Sequence, residues 1–226
     1  MKLKYKILVA SLTFIAITST ILTFALLTFE TETLHNTFTV GQVSLKLDET
    51  DVDETGTPIP NANRVTGNEY KLIPGKEYVK DPTMTVLSGS EASYVRILVT
   101  ITKAKEMKEV FGEDFLPEKY VTGWDKTKWI STSIKENDDN SITYEFRYHK
   151  VVTGYVDGKK QEVVLEPLFN KFTAPSELTG EDLKKIEGFE IKVVGHGIQA
   201  YGFKDAEEAW NAFNAEIDEN ILQGGE

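Results

Sequence analysis

The chain of 226 residues contains no cysteine. Disulfides, thiol catalysis and thiolate metal sites are therefore excluded. Histidine is nearly as scarce, with His35, His149 and His196 the complete set. No H-E-x-x-H occurs, so the helix-borne zinc pair with its general base is missing. No G-x-S-x-G occurs either, so the nucleophile elbow of an α/β hydrolase lacks its marker. Basic residues are outnumbered, 25 against 36 acidic, for a formal net charge of −11. A surface of that sign repels the phosphates that nucleic-acid binding must neutralise. It favours solubility and attracts cations.

The strongest local feature that is present lies at the start. Lys2, Lys4 and Lys6 form a basic segment, and residues 7–29 carry no charge. Basic start followed by apolar core is the order of an export signal. The apolar run exceeds the ~7–15 residues of an ordinary signal core. It is long enough to span a bilayer. Two outcomes are open: cleavage near Ala25, or retention of residues 7–29 as a membrane anchor with the lysines inside. Removal of residues 1–25 leaves 22 basic against 36 acidic residues, a net charge of −14. Exported eukaryotic domains commonly rely on disulfides, so a cysteine-free exported chain points to a bacterium.

The remainder, residues 30–226, is expected to be a single mainly β domain. Val43, Leu45 and Leu47 alternate with polar residues, with a bulge expected at Gly41. Leu72-Ile73-Pro74-Gly75 is a turn signal. Residues 77–87 read as a strand interrupted by Pro82. Residues 93–102 are the clearest strand, with Val95, Ile97, Val99 and Ile101 on one face. A short helix is predicted over 104–111, ended by Gly112. Residues 129–134 and 142–152 are further strands, the second with Ile142, Tyr144, Phe146 and Tyr148 sharing a face. Asp157-Gly158 signals a hairpin, leading into a strand over 161–169. Thr179 and Asp182 suggest a helix start, and Gly188 its end. Phe189, Ile191 and Val193 alternate, and Gly195-His196-Gly197 is expected to break that strand. Asp205 and Glu208 form a capping-box pair before a helix with Ala209, Trp210 and Phe213 on one face. Short strands with few helices argue for a β-sandwich.

Four stretches, taken in order, carry a resemblance: Asn36-Thr37-Phe38-Thr39-Val40-Gly41, Leu72-Ile73-Pro74-Gly75, Lys80-Asp81-Pro82-Thr83 and Tyr94-Val95-Arg96. Together with Ile198-Gln199-Ala200-Tyr201-Gly202-Phe203 and Ala206-Glu207-Glu208-Ala209-Trp210, they resemble the SipW-dependent secreted proteins of Firmicutes, the TasA/camelysin (CalY) family. The resemblance implies a jelly-roll-like antiparallel sandwich with a few short peripheral helices and an N-terminal signal helix. It also implies export through a dedicated signal peptidase and a place in the biofilm matrix or on the cell surface of a Gram-positive bacterium. Its members build fibres, and subunits link by donating an N-terminal strand. The partners implied are further copies or related matrix proteins. The chain departs from the family at the cleavage region, where Leu26-Leu27-Thr28-Phe29-Glu30 replaces a small residue followed by Tyr-Phe-Thr-Asp.

Site chemistry is sparse, and no catalytic residue is assigned. Camelysin-type proteins have also been classed as metallopeptidases; a site here would need His35, His149 and His196 to converge from distant segments. Asp51-Val52-Asp53-Glu54-Thr55-Gly56 matches the first half of a calcium loop, but Ala62 occupies the twelfth position where a glutamate is required. Asp51 and Asp53 are left as calcium candidates beside the plainer expectation of an acidic loop. Asp138 and Asp139 sit in a solvated polar loop. Tyr120, Trp124 and Trp129 form either a carbohydrate-stacking platform or part of the core. The leading expectation is a non-enzymatic matrix or surface protein that adds the strand within residues 31–47 to a neighbour's sheet edge.

Overall fold

The computed structural model describes residues 41–112 and 117–223. The apolar run at 7–29, and with it the expected signal helix, lies outside them. The described chain is mainly β, and all its ladders are antiparallel. One sheet joins β1 (Leu45–Asp48), β3 (Thr83–Val86) and β10 (Val163–Val164), with β3 central. A second joins β2 (Glu77–Val79), β11 (Lys171–Thr173) and β5 (Val121–Thr122). The largest runs in the order β12 (Ile191–Gln199), β4 (Ser93–Thr102), β7 (Ser141–Tyr148), β6 (Trp129–Asn137). A small hairpin, β8 (Tyr155–Val156) with β9 (Lys159–Lys160), turns on Asp157 and Gly158. Both turn residues have positive φ, as a two-residue type I′ loop requires.

Period-two alternation makes the core. Val95, Ile97, Val99 and Ile101 of β4 and Ile142, Tyr144, Phe146 and Tyr148 of β7 are buried on one face of the large sheet. They meet Met84 and Val86 of β3, with Leu165, Leu168 and Phe169 from the following loops. Each such side chain contributes about 1.5–3 kcal/mol of transfer free energy. Trp129 is fully buried, and its indole N–H donates to the Glu166 carbonyl at 2.8 Å.

Among the described residues three helices flank the sheets. α1 (Ala104–Phe111) buries Met107, and Gly112 ends it at φ 98°. α2 (Gly180–Lys185) starts on a complete Thr179–Asp182 capping box. α3 (Ala206–Gln223) begins with Glu208 N–H donating to Asp205 Oδ1 at 3.0 Å. Ala209 and Trp210 are buried beneath it.

Several sequence expectations change. The strand expected over 77–87 is two strands in two different sheets, because Pro82 cannot donate to a ladder and the chain changes sheet there. The glycines at 195 and 197 do not break β12, whose register with β4 runs uninterrupted from Ile191↔Ile101 to Gln199↔Ser93. They let the sheets approach: a Cβ at Gly195 would meet Met84 Cε at 2.1 Å, and one at Gly197 would meet Leu45 Cδ1 at 2.5 Å. The strand expected over 161–169 reduces to β10, and β5 and β11 are too short to leave a period in the sequence. Of the strand expected around Gly41, only Leu45–Asp48 is regular, while Gln42 and Ser44 carbonyls still accept from Glu91 and Leu87.

Candidate functional site: the open edge of β12

β12 lies at one end of the large sheet, so only one of its edges is paired within the sheet. Which residues face outward follows from the bonds at its ends. The Glu190 carbonyl accepts from Thr102 N–H at 3.1 Å, and Ala200 N–H donates to the Ala92 carbonyl at 2.7 Å. With an unbroken antiparallel register, even-numbered residues exchange bonds with β4. Ile191, Val193, Gly195, Gly197 and Gln199 therefore direct N–H and C=O away from it. Among the described residues no backbone group pairs with that row.

The row borders a groove. Two recesses of about 530 and 330 Å³ share Asn68, Lys80 and Ile191. The larger is walled by Tyr70, Leu72, Tyr78, Phe172 and Phe189. The smaller lies between Leu47 and Val193, with Glu49 beside them. Strand order explains the opening. β1 is the end strand of its own sheet, so two sheet edges lie on the same side.

The wall opposite β12 is charged and well bonded. Arg64 donates to Asp48 Oδ1 at 2.6 Å and to Asp81 Oδ2 at 2.9 Å. Burial opposes ionisation of Asp48, but hydrogen bonds from Lys46 and Arg64 outweigh it and hold the carboxyl below its usual range. Lys80 Nζ donates to Glu49 Oε2 at 2.8 Å and lies 5.5 Å from the centre of the Tyr70 ring. Asn68 Nδ2 donates to the other oxygen of Glu49 at 2.9 Å. Burial, then the Glu49 charge, pushes the Tyr70 hydroxyl upward.

The outer face of β12 is covered by α3. Arg96 of β4 is buried, with its guanidinium 4.4 Å from the Trp210 ring and 5.0 Å from the Phe213 ring. It donates to His196 Nδ1 at 3.2 Å and to Asn214 Oδ1 at 2.8 Å. His196 therefore stands on a regular strand, not in a bulge, and its pKa is lowered by burial and by Arg96.

The other residues singled out from sequence are dispersed. His149 follows β7, its ring centre 4.7 Å from that of Tyr148 and tilted 57° to it; His35 is outside the described residues. Among the described residues no three histidine or acidic side chains stand close enough to share a metal. Asp53 Oδ1 accepts from Thr55 N–H, Thr55 hydroxyl and Thr57 N–H within a tight turn, and Asp51 accepts from Ile59 N–H through its carbonyl. The Thr55 hydroxyl is the largest influence lowering the Asp53 pKa. Trp129, being in the core, cannot join a platform with Trp124, which packs edge-on to Phe146 at 5.2 Å. Sequence reasoning missed Glu49, Asn68 and Lys80; no spacing signal links residues 31 positions apart.

No family model, curated protein or solved structure matches this chain.

Proposed function

We propose that the chain is an exported structural protein of a bacterial surface or biofilm matrix that assembles by strand addition. One observation carries the reading: five successive outward backbone positions of β12 have no partner among the described residues, beside a groove whose larger recess is walled by Tyr70, Leu72, Tyr78, Phe172 and Phe189. Main-chain pairing supplies affinity in this mode, and pockets for alternate side chains supply specificity. The donor is the segment preceding the domain. Within the expected 31–47 region, Leu45–Leu47 already belongs to β1 and pairs with β3 of its own chain. That narrows the donor to residues 31–40, whose Leu34, Phe38 and Val40 would share a face if the segment pairs as a strand. The jelly-roll arrangement, the export step and the Gram-positive surface location form part of the same proposal.

The test is electron microscopy of purified protein beginning near residue 30, beside protein beginning at Gly41. Filaments from the longer form alone support the reading. Monomer from both across concentration, pH and calcium rejects it.

A further inference from the structure

Two amide-forming partners meet on one buried carboxylate. Glu49 follows β1, Asn68 lies in the loop after it, and Lys80 follows β2. Glu49 Oε2 accepts from Lys80 Nζ at 2.8 Å, and Glu49 Oε1 accepts from Asn68 Nδ2 at 2.9 Å. The side chains of Lys80 and Glu49 are 9% and 7% exposed. The Asn68 amide is fixed in orientation: Oδ1 accepts from Val52 N–H at 3.0 Å, and Nδ2 also donates to the Thr50 carbonyl at 2.9 Å. Only one assignment of O and N satisfies all three partners. An amine and a carboxamide thus bond the two oxygens of one carboxylate, which can carry protons between them, and a backbone N–H sits on the carboxamide oxygen.

We propose that Lys80 and Asn68 join through an intramolecular isopeptide bond, formed by the chain itself with Glu49 as proton carrier. Glu49 takes a proton from the Nζ ammonium, and the freed electron pair attacks Cγ of Asn68. Negative charge gathers on Oδ1, where Val52 N–H donates to it. Glu49 passes its proton to Nδ2, and the Cγ–Nδ2 bond breaks. The second surplus proton of Nζ follows by the same carboxylate, so the nitrogen departs as ammonium and Glu49 is again ionised. One C–N bond forms and one breaks, and no oxidant or metal takes part. Asn68 and Lys80 line both recesses, which give the ammonium a way out.

The bond would give a cysteine-free chain a covalent clasp between the 49–68 loop and the end of β2. It does not depend on the assembly proposed above.

Mass spectrometry of the purified full chain tests it. The expected result is a chain lighter than its sequence by one ammonia, and a branched proteolytic peptide joining Lys80 to Asn68. Trypsin then no longer cuts after Lys80. Glu49→Gln, folded by circular dichroism, is expected to keep the full mass and yield separate peptides. Full mass in the unsubstituted protein overturns the proposal, as does ammonia loss without the branched peptide. A branched peptide that persists in Glu49→Gln overturns the role given to Glu49.

Discussion

The two edges of the large sheet are built to opposite ends. β6, the edge farthest from β12, carries a register shift between Ser131 and Ser133. Its following residues, Lys135 and Glu136, are charged, and Glu136 is tied to Lys108 of α1. A bulge and charges are the usual ways in which a protein spoils an edge as a template. β12 has neither bulge nor proline, and its register is unbroken over nine residues. Its one charged side chain, Lys192, is paired with Glu190 at 3.2 Å. Both edges belong to one sheet and share one core. Among the described residues, then, β6 carries features that spoil a template and β12 does not, which is the contrast that strand addition at β12 requires.

The largest expected effect comes from closing the β12 edge. Val193 directs its N–H outward, so Val193→Pro removes an outward donor and leaves the ladder to β4 intact. Proline is tolerated at such positions. Filaments seen by electron microscopy should be abolished, while circular dichroism and the thermal midpoint report a folded monomer. Ile134→Lys on β6 should leave filaments unchanged. Equal loss from both substitutions would dissolve the contrast and remove β12 from its proposed role.

Much of the fold was legible, and the limits are physical. β4 and α1 fall where period-two alternation and the closing Gly112 put them, and β7 keeps its expected buried face but ends at Tyr148, short of residue 152; each buries one face against a single core. The Asp157-Gly158 hairpin and the Thr179 cap are local chemistry and read directly. Sheet membership is not local. Nothing in residues 77–87 says that Pro82 divides two sheets. Gly195 and Gly197 look like strand breakers until the side chains of Met84 and Leu45 fill the space above them. Openness at an edge is a property of strand order, which residues 191–199 do not encode by themselves. The cluster of Glu49, Asn68 and Lys80 needs the same long-range information.

A middling effect is expected at the inner face of β12. Gly195→Val places methyl groups where Met84, itself fully buried, already sits. Overpacking of this kind costs about 1–3 kcal/mol, read as a lower urea midpoint. Val194→Ala, on the adjacent and half-exposed outward position, should change stability by less than about 0.5 kcal/mol. Similar costs at the two positions would mean that β12 is not pressed against β1 and β3, and that the groove is wider than described.

The smallest expected effect concerns the closed outer face. Arg96 Nε–H donates to His196 Nδ1, which requires a neutral ring with its proton on Nε2. Burial and the Arg96 charge lower the His196 pKa, with Glu145 opposing weakly. A histidine whose pKa is lower folded than unfolded stabilises the fold above its unfolded value, near 6.5. That contribution falls away as pH drops from there through the folded value. Asp48, Glu145 and Glu166 also have lowered pKa values, but carboxylates lose their contribution only below about pH 4.5. Between those limits the histidine can be isolated by comparison with His196→Asn, which retains an acceptor for Arg96 without a titrating ring. The unsubstituted protein should lose urea stability from pH 7.5 to pH 5, and His196→Asn should lose less. Parallel profiles would mean that Arg96 holds α3 through Trp210, Phe213 and Asn214 alone, so that the outer face of β12 is closed by packing and insensitive to mild acid.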